Sequence, residues 1–239
     1  MLRHPGQKRS FNHNVRLATL LCLNAGFING AGFLAFNVLT TNVTGHAALF
    51  AVNLAETHFR AAGMVALWFL LFLIGAFTSG ICIETVGKEK PAAYLLPIGI
   101  IMLILIAVTI FGHTYNGSLH QTEYFAGSLL FAMGMQNALV SMISGSVVRT
   151  THLTGMFTDL GTDLSFAAIQ RWKLTPRIKR RILLRMVIIT SFLSGGVMGT
   201  VLFLQYQFDA FLLPILFLMI TSFYDYFRFY IIRMVRRYK

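Results

Sequence analysis

Apolar positions in this chain gather in long unbroken blocks rather than in short alternating runs. Six stretches, at 17–36, 61–83, 91–112, 124–145, 183–204 and 208–227, stay apolar for about 20 residues each, the length a helix needs to cross a hydrocarbon core of roughly 30 Å. Two further segments, 38–56 and 147–169, interleave apolar residues with threonine and histidine, and also with asparagine in the first and with Asp159 and Asp163 in the second. The pattern predicts an all-α integral membrane protein with six transmembrane helices and two polar-interrupted segments of another kind.

Composition agrees. Of 239 residues, 56% are apolar and only 12% charged, and the mean hydropathy is +0.68, far from soluble averages. The net charge of +12 sits at span ends, where it reports orientation and contact with lipid rather than with nucleic acid. Arg3, Lys8, Arg9 and Arg16 precede the first apolar stretch as they would in a signal peptide. That stretch is too long, contains Asn24 and Asn29, and lacks a small-x-small cleavage site, so it reads as a retained span. Cys22 and Cys82 fall inside spans without C-x-x-C or Cys/His spacing, so no disulfide, metal or cofactor site is expected.

Charge also sets the expected topology. Basic residues crowd the first sixteen positions, the loop Gln170–Arg185 and the tail 228–239, which should all be cytoplasmic; the loops "GHTYNGSLHQTEY" and "QYQFD" carry no Lys or Arg and should face outside. An odd number of crossings must then separate the outer loop from the inner loop near 178. The acidic, threonine-rich segment 147–169 is the poorer span and is demoted, and 38–56 is demoted by the same parity. Both become re-entrant or broken helical elements. An eight-span alternative would put Lys88 and Lys90 outside, a weaker fit to the charges.

The chain also repeats itself. "GFIN" at Gly26 matches "GMQN" at Gly134, "TTNVTG" at Thr40 matches "TTHLTG" at Thr150, "FLIGAFTSG" at Phe72 matches "FLSGGVMGT" at Phe192, and "AYLLPIG" at Ala93 matches "AFLLPIL" at Ala210, all in the same order. Three crossings per unit require the second unit to be inverted. The expected organisation is a basic cytoplasmic N-terminus (1–16), a first repeat (17–112), an extracytoplasmic loop (113–123), a second inverted repeat (124–227) and a basic tail (228–239). Small-residue stripes, Gly26-x-x-x-Gly30 with Gly134-x-x-x-Ala138, and Ala76-x-x-x-Gly80 with Gly196-x-x-x-Thr200 and Gly195-x-x-x-Gly199, should bring helix backbones together. Such stripes can also serve a homo-oligomer. The tail "YDYFRFYIIRMVRRYK" has the interleaved aromatic and basic residues of an anchor at a lipid surface.

Each Thr-Gly phrase reads as an extended run leading into a half-helix, with Thr44 or Thr154 as N-cap and Gly45 or Gly155 following. Irregular backbone at membrane depth must be buried in protein or line water, and a helix N-terminus suits an anion. The expected pathway residues of the first repeat are therefore Asn29, Thr41, Thr44 and Gly45. Those of the second are Asn137, Thr151, Thr154, Gly155, Asp159 and Asp163. Asn29 and Asn137 could hold the broken backbone or touch a solute. Asp159 and Asp163, at i and i+4, could bind a proton or cation or form a polar face near the cytoplasmic surface. "ISGS" and "LSGG" suggest an intramembrane serine protease, but the last two spans supply no histidine base, so neither a catalytic residue nor an enzyme is expected.

The pairing of "GFINGAGFLAFNVLTTNVTGHAAL" with "AMGMQNALVSMISGSVVRTTHLTGMFTDL" resembles the YoaK-like family of bacterial membrane proteins, domain of unknown function 1275, over about 17–226. The resemblance implies a six-span protein of the bacterial cytoplasmic membrane and no assigned activity. Members commonly carry an acidic residue where this chain has Asn29. The expected function is a transporter or channel for a small solute or ion, with the two Thr-Gly segments meeting near the centre. Its rival is a non-transporting membrane scaffold; a polar, water-accessible cavity bounded by the Thr-Gly phrases would favour transport, and a dry, tightly packed centre would sink it.

Overall fold

The computed structural model describes residues 11–88 and 90–223, among which every regular element is helical. The elements are α1 (Phe11–Phe36), α2 (Val43–Ala55), α3 (Phe59–Val86), α4 (Ala92–Gly112), α5 (Leu119–Ser144), α6 (Leu153–Ile169) and α7 (Pro176–Tyr206). A 3₁₀ turn at Gln207–Phe211 follows, and helix resumes as α8 over 212–223. The tail expected to anchor on lipid lies outside the described residues.

Five helical runs are long and apolar enough to cross a bilayer: α1, α3, α4, α5 and the 48-residue run 176–223. The last would be about 72 Å long if straight, more than twice a bilayer core. It folds back instead. Gln207 has a positive φ of 50°, and Phe203 packs its ring on both Phe208 and Phe211 at 5.4 and 6.3 Å. The helices overrun the apolar stretches, α1 starting at Phe11 rather than 17 and α7 at Pro176 rather than 183. Hydropathy marks the length inside hydrocarbon, whereas hydrogen bonding continues the helix until a cap or break stops it. Ser118 caps α5, Gly145 ends it in the left-handed region, and Pro176 opens α7.

Outward faces are apolar. Leu70, Leu73 and Phe77 on α3 and Leu193, Val197, Val201 and Leu204 on α7 form exposed stripes, with Phe77 and Val197 both at 66%. Patches of this extent suit lipid rather than water, and the chain is an all-α membrane protein.

Directions follow from contacts. Phe36 at the end of α1 stacks on Phe125 near the start of α5 at 5.6 Å. Farther down, Asn24 donates to Gln136 at 2.6 Å and Gln136 donates to the Leu21 carbonyl at 2.8 Å. α1 and α5 are therefore antiparallel. α1 instead packs parallel to α7, and α5 parallel to α3, each pair nearly backbone to backbone. A methyl on Gly26 would strike the Phe192 carbonyl, one on Gly195 the Leu23 carbonyl and one on Gly199 the Phe27 carbonyl. In the other pair, a methyl on Gly134 would strike the Phe72 carbonyl and one on Gly75 the Phe131 carbonyl. Ala76-x-x-x-Gly80 is not the contacting stripe: Gly80 has open space around it, and Gly75, one residue earlier, makes the approach. Helix rotation, set by the partner, turns Gly80 away.

One end of the bundle collects the end of α1, the α4–α5 connection and the turn after α7, where Phe36, Tyr115, Phe125 and Phe208 cluster and His113 meets Asp209 at 3.1 Å. At the other end Arg180 lies over the Phe11 ring at 5.9 Å, and the parallel course of α3 and α5 brings Lys88 there too. The basic connections share this end. Between α1 and α5 the middle is tightly packed, with Leu21, Cys22, Ala25, Leu129 and Met133 fully buried around the hydrogen-bonded Asn24 and Gln136.

Candidate functional site

α2 and α6 are short, 13 and 17 residues, or about 20 and 25 Å. After Phe36 the chain reverses at Asn37, whose φ is 55°, and runs back along α1 to Asn29. There the Thr41 N–H and hydroxyl both donate to Asn29 Oδ1, at 3.1 and 2.9 Å. Asn29 lies seven residues, about 10 Å, before the end of its helix. α2 thus begins partway down the bundle and returns to the end it came from, where Thr57 turns the chain into α3 with a φ of 61°. His46, buried, fixes the same bend by donating from Nε2 to the Leu39 carbonyl at 2.8 Å and packing edge-on against Trp68 at 5.1 Å.

The helix starts correct the sequence reading by two residues. Asn42, not Thr44, caps α2: its side chain accepts the Gly45 N–H at 2.9 Å and the Thr44 hydroxyl at 3.0 Å, because a carboxamide oxygen reaches the third N–H of the helix readily. Gly45 makes room for that side chain, since a β-carbon there would lie 2.6 Å from Asn42 Nδ2. His152 holds the matching position before α6, and its ring occupies the space a side chain on Gly155 would need. No side chain caps α6. Thr44 and Thr154 are exposed, while Thr41 is buried and Thr151 half-buried.

The two asparagines differ. Asn29 carries the bend into α2, but the Asn137 carboxamide oxygen is buried without a partner, as is the Thr150 hydroxyl. Asp159 and Asp163 face α7. Asp163, 4% exposed, receives Arg181 Nε at 2.9 Å, Arg181 Nη2 and Arg185 Nη1. Arg185 also donates to the Asp159 carbonyl at 2.8 Å and carboxylate at 3.0 Å. The acids therefore dock α6 onto α7 by charge-assisted bonds.

The half-helices that the two Thr-Gly phrases open, α2 and α6, do not meet. No Cα of α2 comes within 8 Å of one in α6, because each phrase reaches only partway in from its own end and its helix lies on the third helix of its own half, with α1 and α5 filling the space between. One phrase does border a polar cavity. About 410 Å³ opens beside the start of α6, lined by Ser146, Val147, Arg149, His152, Gly155, Met156, Asp159, Arg181, Leu184 and Arg185. A second notch, between α1 and α7, is lined by Asn29, Gly196 and Thr200 amid apolar side chains. Arg149, His152, Arg181 and Arg185 were not among the expected site residues. Their signal was present, since Arg181 and Arg185 share the i, i+4 spacing of Asp159 and Asp163 and the latter arginine lies inside a predicted span.

No curated protein and no solved structure matches the chain. A family model does, over residues 17–224, which include both Thr-Gly phrases and, apart from the first six residues of α1, all the helices among the described residues. The chain belongs to the family described as protein of unknown function (DUF1275).

Proposed function

We propose that this protein is a small-solute carrier of the bacterial cytoplasmic membrane, not an enzyme, built from two inverted three-span repeats with both termini cytoplasmic. The observation that carries the reading is the exchange of equivalent contacts. Gly26 on Phe192 matches Gly134 on Phe72, and Gly195 on Leu23 matches Gly75 on Phe131, while α1 and α5, the first helices of the two halves, run in opposite directions. Two like halves in opposite orientation are a recurrent carrier architecture, with alternating access arising as one helix set moves against the other. The re-entrant course of α2 and α6 adds half-helix ends at membrane depth. With the middle packed, a carrier open to one side suits the geometry better than an open pore, and the cavity at α6 is its accessible site at the basic, cytoplasmic end.

The packed middle also favours a second reading, a membrane scaffold that moves nothing. Uptake into proteoliposomes separates the two. A carrier is expected to accumulate at least one solute, with the Gly155→Val variant, whose side chain would displace the His152 ring in the wall of the α6 cavity, slower; uptake indistinguishable from protein-free vesicles for every class of solute would leave the scaffold.

A further inference from the structure

The cavity beside α6 has a chemistry of its own. Its volume of about 410 Å³ lies in the range of small-molecule sites, roughly 300–1,000 Å³. Three arginines line it, Arg149 in the segment before α6 and Arg181 and Arg185 on α7. Only two carboxylates, Asp159 and Asp163, stand against them, and Arg149 pairs with no acid among the described residues. A guanidinium has five N–H donors in a planar fork. Arg181 commits two of them to Asp163, and Arg185 commits three to Asp159 and Asp163. The aspartates thus hold the two arginines in place and leave donors on each, with Arg149 wholly uncommitted.

We propose that this cavity binds an oxyanion, a phosphate or carboxylate group, on Arg149 together with the spare donors of Arg181 and Arg185. Bidentate pairing suits arginine to both groups. The uncapped first turn of α6 adds N–H donors beside them, where α2, in the same register, closes its own first turn with Asn42. Asp159 sits on the cavity wall already engaged by Arg185, so it orients that arginine rather than repelling the ligand outright. As a solute site the assignment rests on the carrier reading; as a binding site it does not. The oxyanion has two chemical sources, a soluble anion or the headgroup of an anionic lipid at the same membrane face.

The test is thermal unfolding and calorimetric titration of the full chain in phosphatidylcholine nanodiscs with inorganic phosphate and citrate at constant ionic strength, with chloride as control. Phosphate or citrate is expected to raise the melting temperature and bind saturably, with affinity about tenfold weaker in Arg149→Gln and only partly recovered in Arg149→Lys, which keeps the charge but not the planar fork. Nanodiscs containing phosphatidylglycerol divide the sources: titration unchanged there marks a soluble anion, and titration abolished there marks a lipid headgroup already in place. No binding by either anion in phosphatidylcholine, or equal binding by wild type and Arg149→Gln, overturns the proposal. Binding without any proteoliposome uptake would sink the carrier reading and leave this site standing.

Discussion

Gly26, Gly75, Gly134, Gly195 and Gly199 are glycines because a carbonyl of the neighbouring helix occupies the place of a β-carbon. Lipid offers helices no hydrophobic reason to associate, so close approach itself supplies the attraction, through dispersion between backbones. We predict that Gly26→Ala or Gly134→Ala destabilises the detergent-solubilised protein by about 1–3 kcal/mol, the range for overpacking. Gly80→Ala, in open space, should stay within about 0.5 kcal/mol of wild type. Equal melting temperatures for all three would contradict the backbone contacts. Asn29 makes a second residue-scale prediction. Removing the acceptor of two Thr41 hydrogen bonds in Asn29→Ala should cost about 1–3 kcal/mol, whereas Asn29→Asp retains an acceptor oxygen and should cost less. Asn137→Ala, whose oxygen has no partner, should cost less than Asn29→Ala by the same thermal measurement. Asn29 and Asn137 are equivalent in sequence, so this difference could not be read from the repeat; it depends on where each loop lies.

At the scale of elements, α2 and α6 show how much a local pattern settles. Their positions, their helical character and their small N-terminal residues were all legible in the two Thr-Gly phrases. The caps were placed two residues late, because Thr, Asn and His are all compatible with a helix start and only the backbone course selects among them. The pairing of Asp159 and Asp163 was not legible either. An i, i+4 acidic pair is equally a proton site or a dock, and the basic partners lie 18 to 26 residues away on another helix. Because Asp163 is buried and bonded to two arginines, Asp163→Asn should loosen α6 from α7, at a cost of about 1–3 kcal/mol, since the Arg181 side chain is 55% exposed and can hydrate its charge once the acid is gone. Hydrogen exchange over 153–169 should rise several-fold in that variant while α2 remains as protected as before. Protection unchanged in α6 would mean that its apolar contacts, not the ion pairs, hold it.

At the scale of the whole molecule, orientation is the exposed consequence of the fold. Single cysteines at Lys88, Thr175 and Gly117, in a background lacking Cys22 and Cys82, should report sidedness to a membrane-impermeant thiol reagent. We predict that Gly117→Cys reacts in intact cells and that Lys88→Cys and Thr175→Cys react only after permeabilisation. Reaction of Lys88→Cys from outside would instead support eight spans. Helical character, the apolar lengths, the duplicated motifs and the lopsided charge were all determined by the sequence alone, because hydropathy, periodicity and charge bias are properties of the chain read in one dimension. Only the tertiary structure decided that Gly75 rather than Gly80 meets α5, that Arg181 and Arg185 take the two aspartates, and that α2 and α6 stay apart with the start of α6 opening on a basic cavity. Those outcomes depend on helix rotation and on how deep each loop descends, which are set by contacts between residues distant in the chain.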